Sequence, residues 1–497
     1  MFHYKTILHI LGLLLLFNGG AMLIASLVSL FLDDGATSGL FLSTGITFAA
    51  GLSMMLLTLK QKREIKKRDG YLIVVLGWLV MVVFGTLPFL TTDSIDSLTD
   101  AFFETMSGYT ATGATVIQDI ESLPKSLILW RSLTHWLGGM GIIVLAIAIL
   151  PLLGIGGVQL FSAESPGVGG DKLHPRISDT AKRLWYIYVG FTALQALMLS
   201  LAGMSVFDAV NHAMSTMASG GFSSKNASMS YWNHLPLVQY IVILFMFLAG
   251  SNFVLIYLAI KGKFKRVFSD NEFRWYAGFV LAFAVISFIG IYTKVDLTTA
   301  SSIDHPQVFG KLESSFRHAL FQVVAVITTT GLVTADFTSF TPFLTMLFFG
   351  LFFLGGSSGS TSGGVKVVRH LILIKNGFLE FKKALHPNAI LSLRLNNTTI
   401  DQGFVFKILA FFILYMILFI IGAGVFSFLG LDFISAVGAS ASSLGNVGPG
   451  LGSVGPVLNY ADLPMIAKWW SSFYMLVGRL ELFTVLMLFT PYFWSDH

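Results

Sequence analysis

The chain of 497 residues contains no cysteine. Disulfides and thiolate metal sites are therefore excluded, although the compartment stays open, because membrane proteins of reducing and oxidising cells can both lack cysteine. Charge is equally scarce: 11% of residues are charged against 55% hydrophobic, and the mean hydropathy is +0.77. Water-soluble globular domains carry about twice that share of charge. The motifs of common hydrolytic and nucleotide chemistry are missing too: there is no HExxH, no GxSxG and no Walker sequence. An enzyme is not expected, nor a covalent cofactor, nor a nucleic-acid partner.

What the sequence does have is apolar length. Apolar runs with charged flanks predict ten membrane spans, at residues 7–32, 39–59, 71–90, 127–153, 184–203, 236–260, 275–293, 342–374, 404–429 and 465–490. The first is too long for a signal-peptide core and reads as a retained span. Basic residues cluster in four places: residues 60–68, Lys172 with Arg176, Lys182 and Arg183, residues 261–266, and Arg369 through Lys375, Lys382 and Lys383 to Arg394. The positive-inside rule puts all four in the cytoplasm. Lys5 and Asp496-His497 follow them, whereas Asp33, Asp34, Asp93, Asp96, Asp100, Asp119, Glu121 and Asp304 fall outside. These basic runs set topology or touch lipid headgroups. The segment 376–399, with Phe378, Phe381, His386 and Pro387, is long enough to dock a cytoplasmic partner but carries no motif that names one.

Between the spans, one pattern occurs four times. Thr110-Ala111-Thr112-Gly113, Ala218-Ser219-Gly220-Gly221, Thr328-Thr329-Thr330-Gly331 and the run Ser443 to Asn446-Val447-Gly448 each end in glycine. The terminal glycines recur about every 110 residues, as repeated structural units do. A short amphipathic segment precedes each run, beginning near Asp100, Phe207, Ser315 and Asp432. Such segments fall short of the ~20 residues a span requires, so they predict re-entrant half-helices. A half-helix that stops within the membrane aims the negative end of its dipole inward, which favours a cation. The glycine then permits dihedrals that let successive carbonyls face one axis, as in K+ channel filters. The competing reading is that these small residues are packing surfaces between membrane helices. Four copies, each flanked by spans, favour the filter. Its expected K+ ligands are Thr110, Ala111, Thr112, Gly113, Ser219, Gly220, Gly221, Thr329, Thr330, Gly331, Asn446, Val447 and Gly448.

The eighth predicted span is interrupted by Gly355-Gly356-Ser357-Ser358-Gly359-Ser360-Thr361-Ser362-Gly363-Gly364. Each glycine costs about 1 kcal/mol in a helix relative to alanine, and serine competes for backbone bonds. Broken spans mark ion pathways, so this run predicts a gate, with a passive kink as the alternative. Arg479, near the middle of the last predicted span, needs a use or a partner at that depth. It is either a fixed positive charge in the permeation path or one half of a salt bridge, for which Glu104 is the available acid. Glu481, two residues on, lies on another face of the helix. His135 reads as a helix-packing donor before a ligand, Arg131 as a snorkelling side chain, and Glu104 as either a vestibule charge or a buried partner.

Taken together, Met106 to Thr115, His135-Trp-Leu-Gly-Gly-Met-Gly141, Ala218 to Ser223, Gly355 to Lys366, Ser443 to Gly450 and Gly478-Arg479-Leu480-Glu481 resemble the Trk/Ktr/HKT superfamily of K+ and Na+ translocating proteins. Within it the likeness is to TrkH-type membrane subunits of bacterial Trk potassium uptake systems, which also carry two extra leading spans. The motifs run from about residue 70 to the end, and in combination they are specific. The resemblance implies a homodimer in the inner membrane with one pore per subunit, K+ as the transported ion, and a cytoplasmic TrkA-like ring of nucleotide-binding subunits. It also implies that the 355–364 loop, Lys366 and Arg479 form the gate. In plant relatives a serine at the first filter position goes with Na+ transport; Gly113 here favours K+. Gly220-Gly221 leaves the second filter glycine open by one position, with Phe222-Ser223 favouring Gly221. No run reads Thr-Val-Gly-Tyr-Gly, so a shorter, less selective filter is expected. Na+ permeation, or coupling to H+ or Na+, stays open.

The expected architecture is all-α and polytopic, with four pseudo-symmetric repeats of span, half-helix, filter loop and span around one pore. Two extra helices would occupy residues 1–65, and the repeats 66–160, 161–265, 266–395 and 396–497, the third carrying the intramembrane loop.

Overall fold

A computed structural model describes residues 3–58, 67–149, 177–298, 303–389, 391–396 and 398–495. Residues 60–66, Lys172, Arg176, Asp496 and His497, used above to orient the chain, lie outside that set. The fold is helical as expected. The one exception among the described residues is a two-residue antiparallel pair, in which Arg394 faces Thr399 and Leu395 faces Thr398. This pair lies in the segment expected to be a loop from residue 376, whose first part instead continues the helix Val367–Leu385.

Six described helices are long and apolar enough to cross a membrane, or eight if each of two sharply bent pairs is one span. The leading pair, Tyr4–Leu32 and Thr37–Leu56, crosses where Gly12 meets Gly51. A Cβ on Gly12 would stand 2.8 Å from the Gly51 oxygen, so glycine is what lets the two backbones approach.

Three of the ten expected spans are not continuous helices. The one at 236–260 is two helices, Pro236–Ala249 and Phe253–Ile260, at 109° to each other. Gly250-Ser251-Asn252 makes the break: glycine is a poor helix former, and Asn252 caps the second helix by accepting from the Val254 N–H at 2.8 Å. The eighth divides into Pro342–Leu351 and Val367–Leu385 around the glycine–serine run. The last turns by 110° after Arg479. Arg479 is thus the final residue of the helix Met465–Arg479, at the bend rather than within a continuous helix. Gly478 precedes the turn, but the residues that make it are neither glycine nor proline. Glu481 and Leu482 both take left-handed φ angles of 56°, and the Leu482 N–H closes the helix end on the Val477 oxygen at 2.9 Å.

The four half-helices are Leu98–Tyr109, Val206–Met217, Lys311–Ile327 and Phe433–Gly445. The third begins four residues ahead of its expected start, at Lys311, after Gly310, whose φ of 88° suits glycine. Ser97, Ser205 and Asp432 cap the other three with side-chain oxygens that accept from N–H groups of the first turn.

Candidate ion-conduction site

Each half-helix ends in the same way. Ala111, Ser219, Thr329 and Asn446, none of them glycine, have φ between 51° and 57°. Their N–H groups reach back three residues, to Gly108, Thr216, Val326 and Ser443. The next residues, Thr112, Gly220, Thr330 and Val447, reach back five, to Ser107, Ser215, Ala325 and Ser442, at 2.8 to 3.0 Å. This is the Schellman closure, built four times. A left-handed non-glycine residue costs roughly 1–3 kcal/mol and persists where its surroundings over-determine it. Two residues further on, the chain is left-handed again at Gly113, Gly221, Gly331 and Gly448, with φ of 84°, 84°, 67° and 96°. Gly221, not Gly220, therefore shares register with the other three glycines; Gly220 is the counterpart of Thr112, Thr330 and Val447.

The four runs meet in a closed ring. A Cβ added to Gly113 would lie 2.2 Å from the Gly220 oxygen, and one on Gly221 would lie 2.2 Å from the Thr330 oxygen. One on Gly331 would lie 2.1 Å from the Val447 oxygen, and one on Gly448 would lie 2.5 Å from the Thr112 oxygen, which returns the ring to its start. Each glycine makes room for a carbonyl of the following run. Asn446 adds a tie between the last run and the first, donating to Thr112 Oγ1 at 2.9 Å as well as to the Met475 oxygen at 2.8 Å.

Buried backbone carbonyls normally have hydrogen-bond partners. Here they do not. Among the described residues, no donor reaches the oxygens of 111–113, 219–221, 329–331, 446 or 447. A ring of closely set, unpartnered carbonyls is electronegative and has the chemistry to replace the water around a monovalent cation. The described residues contain no group of three His, Cys, Asp or Glu that could hold a metal ion.

On its glycine side the mouth of the ring is lined by Gly113, Gly221, Gly331 and Gly448 with Arg131, Lys225 and Tyr460. Lys225 there donates to Glu121 at 2.9 Å, and that carboxylate holds its ammonium above the usual lysine range.

On the other face lies the glycine–serine run. Thr361 donates from Oγ1 to the Met217 oxygen at 2.9 Å and sits 3.0 Å from Ser219 Oγ. The Gly363 N–H donates to Thr329 Oγ1 at 2.6 Å, and a Cβ on Gly363 would be 2.8 Å from Asn446 Cβ. The loop thus touches the second, third and fourth runs on the half-helix side of their glycines. Arg479 donates to the Thr361 oxygen at 2.8 Å and to the Gly138 oxygen at 3.1 Å, and a Cβ on Gly138 would stand 1.8 Å from the Tyr109 oxygen at the end of the first half-helix. Lys366 bonds within the loop, to the Ser362 oxygen at 2.5 Å. The loop tip is held by Glu272, which accepts from the Ser358 N–H at 2.6 Å and from its hydroxyl at 2.8 Å. Nothing in the sequence singles out Glu272 beyond its place in the first turn of a helix.

Several polar residues behave otherwise than expected. Arg131 does not snorkel: it is 1% exposed and pairs with the fully buried Glu104 at 2.8 Å. Glu104 also accepts from the Val116 N–H at 2.9 Å and from Thr115, so it braces the segment that leaves the first run. Among the described residues Arg479 has no acid partner, and Glu104 is already engaged with Arg131. Glu481 pairs instead with Arg369, whose guanidinium also lies over the Phe411 ring. His135 supports the second run from behind, 3.1 Å from Ser215 Oγ and stacked on Phe222 at 3.9 Å.

Comparison with known proteins gives this geometry a lineage. A protein-family model described as a cation transport protein, TrkH, matches residues 39–496. The chain is 39% identical over 497 residues to the Trk system potassium uptake protein TrkH of Salmonella typhimurium, covering 99% of this chain and 100% of the relative. It is 40% identical over 498 residues to the protein of that name from Vibrio parahaemolyticus, again covering 99% and 100%. The crystal structure of the potassium transporter TrkH from Vibrio parahaemolyticus superposes with a TM-score of 0.87 at 38% identity, covering 99% of this chain and all of that one. On whole-chain identity, family model and fold alike, the chain belongs to the TrkH family of cation transport proteins.

Proposed function

We propose that the protein carries K+ into the cell through the four-run ring, with the 355–364 loop and Arg479 as its gate. The observation that carries this reading is the closed ring of carbonyls without donors, which supplies cation ligands and no other chemistry. Relatives named as potassium uptake proteins over the whole chain length support the choice of K+. Arg479 and Lys366 add positive charge on the inner side, where a leak would have to pass. In this reading the repeats occupy 66–160, 161–265, 266–395 and 396–497 after two extra helices at 1–65, and the protein catalyses no reaction. In the same reading it sits in the bacterial inner membrane, and the basic clusters favour both termini in the cytoplasm. It works as a homodimer under a TrkA-like cytoplasmic ring, as the name Trk system of its relatives suggests.

The test is ion flux into liposomes holding the purified protein, with K+, Na+ and an imposed proton gradient. Gly113→Ser is expected to lower the preference for K+ over Na+ more than it lowers total flux. Unchanged selectivity on substituting each of Gly113, Gly221, Gly331 and Gly448 in turn removes the filter assignment. K+ accumulation that tracks the proton gradient identifies a coupled symporter.

A further inference from the structure

The ring is not equal at its glycines. The Gly448 oxygen accepts from Ser442 Oγ at 2.7 Å and from the Tyr460 hydroxyl at 2.9 Å. A carbonyl oxygen has two lone pairs, and two protein donors at these distances occupy both. Among the described residues, none donates to the oxygens of Gly113, Gly221 or Gly331. Both donors are built in. Ser442 is fully buried on the fourth half-helix, and Tyr460 is 2% exposed. Tyr460 is held in turn: its N–H donates to the Thr115 oxygen at 2.8 Å and its ring lies 5.4 Å from that of Phe103.

The second run shows the opposite arrangement. The Phe222 N–H points at His135 Nδ1, 3.4 Å away. In a planar trans peptide the carbonyl points opposite to the N–H, so the Gly221 oxygen is turned away from His135 and left without a donor. The second and fourth repeats, opposite each other in the ring, thus direct the same oxygen differently, one free and one engaged.

We propose that Ser442 and Tyr460 are specificity-determining positioning residues: they hold the Gly448 oxygen out of ion coordination, so Gly113, Gly221 and Gly331 alone supply oxygens at the glycine level. This rests on the filter reading above. The number and field strength of coordinating carbonyls bear on the choice between K+ and Na+. K+, the larger ion, gains more from an added oxygen. The two hydroxyls therefore lower K+ discrimination below what four free glycine oxygens would give.

The experiment measures K+ and Na+ flux of the full chain in liposomes for Ser442→Ala, Tyr460→Phe and the double variant. Gly113→Ser is run in parallel, and thermal unfolding in detergent confirms folding. The double variant is expected to raise the K+ to Na+ flux ratio severalfold, with each single variant between it and the parent. Ser442→Thr, which keeps the hydroxyl, is expected to match the parent. A ratio that is unchanged or falls in the folded double variant overturns the proposal, since hydroxyls that merely brace the loop could only lose selectivity when removed. If Tyr460→Phe does not fold, Ser442→Ala decides by the same criterion. A ratio altered by Gly113→Ser but not by these variants sinks this proposal alone, whereas one altered by none of them sinks the filter reading with it.

Discussion

Arg479 and Thr361 are joined by a hydrogen bond of 2.8 Å, from the guanidinium at the end of one helix to a carbonyl in the loop across the ring. Thr361 itself bonds to the end of the second half-helix, so the arginine is fastened to the loop and, through it, to the ring. Its other contact is also a carbonyl, that of Gly138, and Nε has no partner among the described residues. Among the described residues no carboxylate pairs with it, so its positive charge is left uncompensated there.

Replacing that charge is expected to raise K+ flux while leaving the K+ to Na+ ratio nearly intact, because the ring is untouched. Arg479→Ala removes both charge and bonds, whereas Arg479→Gln keeps an N–H donor without the charge. If charge is the barrier, both variants conduct faster in liposomes. Lower thermal stability with no gain in flux would instead make Arg479 a structural tie.

The loop is expected to respond at its tip. Glu272→Ala withdraws the acceptor of two bonds from Ser358 and frees the segment that Thr361 and Gly363 press against the ring. Basal flux without any cytoplasmic partner should increase, as it should when several residues of 357–362 are deleted. Selectivity should hold in both. Flux that stays at the parent level in folded protein would leave the loop a passive kink.

Glu104 and Arg131 should reveal themselves through stability. Both are buried, and removing one partner of a buried pair leaves an uncompensated charge, worth about 3–5 kcal/mol. Glu104→Gln is expected to lower the detergent unfolding temperature clearly. Adding Arg131→Met should recover part of the loss. Equal unfolding temperatures for parent and Glu104→Gln would show that the pair contributes nothing.

Much of this architecture is legible in the residues. Glycine at 113, 331 and 448 with a hydroxyl or small residue before it marks the ring, because those dihedrals exclude most side chains. The break inside 355–364 is legible for the same reason. The register at Gly220-Gly221 is less so, since both residues tolerate either conformation; the closure on Ser215 fixes it. Partner choice was beyond reach. Apolar content and spacing carry no sign that Arg131 turns inward to Glu104 or that Glu481 leaves its own helix for Arg369. The 110° turn after Arg479 is announced only by Gly478 in the last turn of the helix, and the two positive-φ residues that make it, Glu481 and Leu482, are not glycine. Ser442 and Tyr460 are unremarkable in composition, and their significance lies in two distances.

The ring that closes from Gly448 back to Thr112 is made by one chain. In a pore of four identical subunits, any substitution strikes all four walls at once, so the smallest available change is already fourfold. Here each wall varies by itself. If the ring is the filter proposed above, ion preference can shift by quarter steps, through a single hydroxyl behind a single wall, while the other three keep the pore intact.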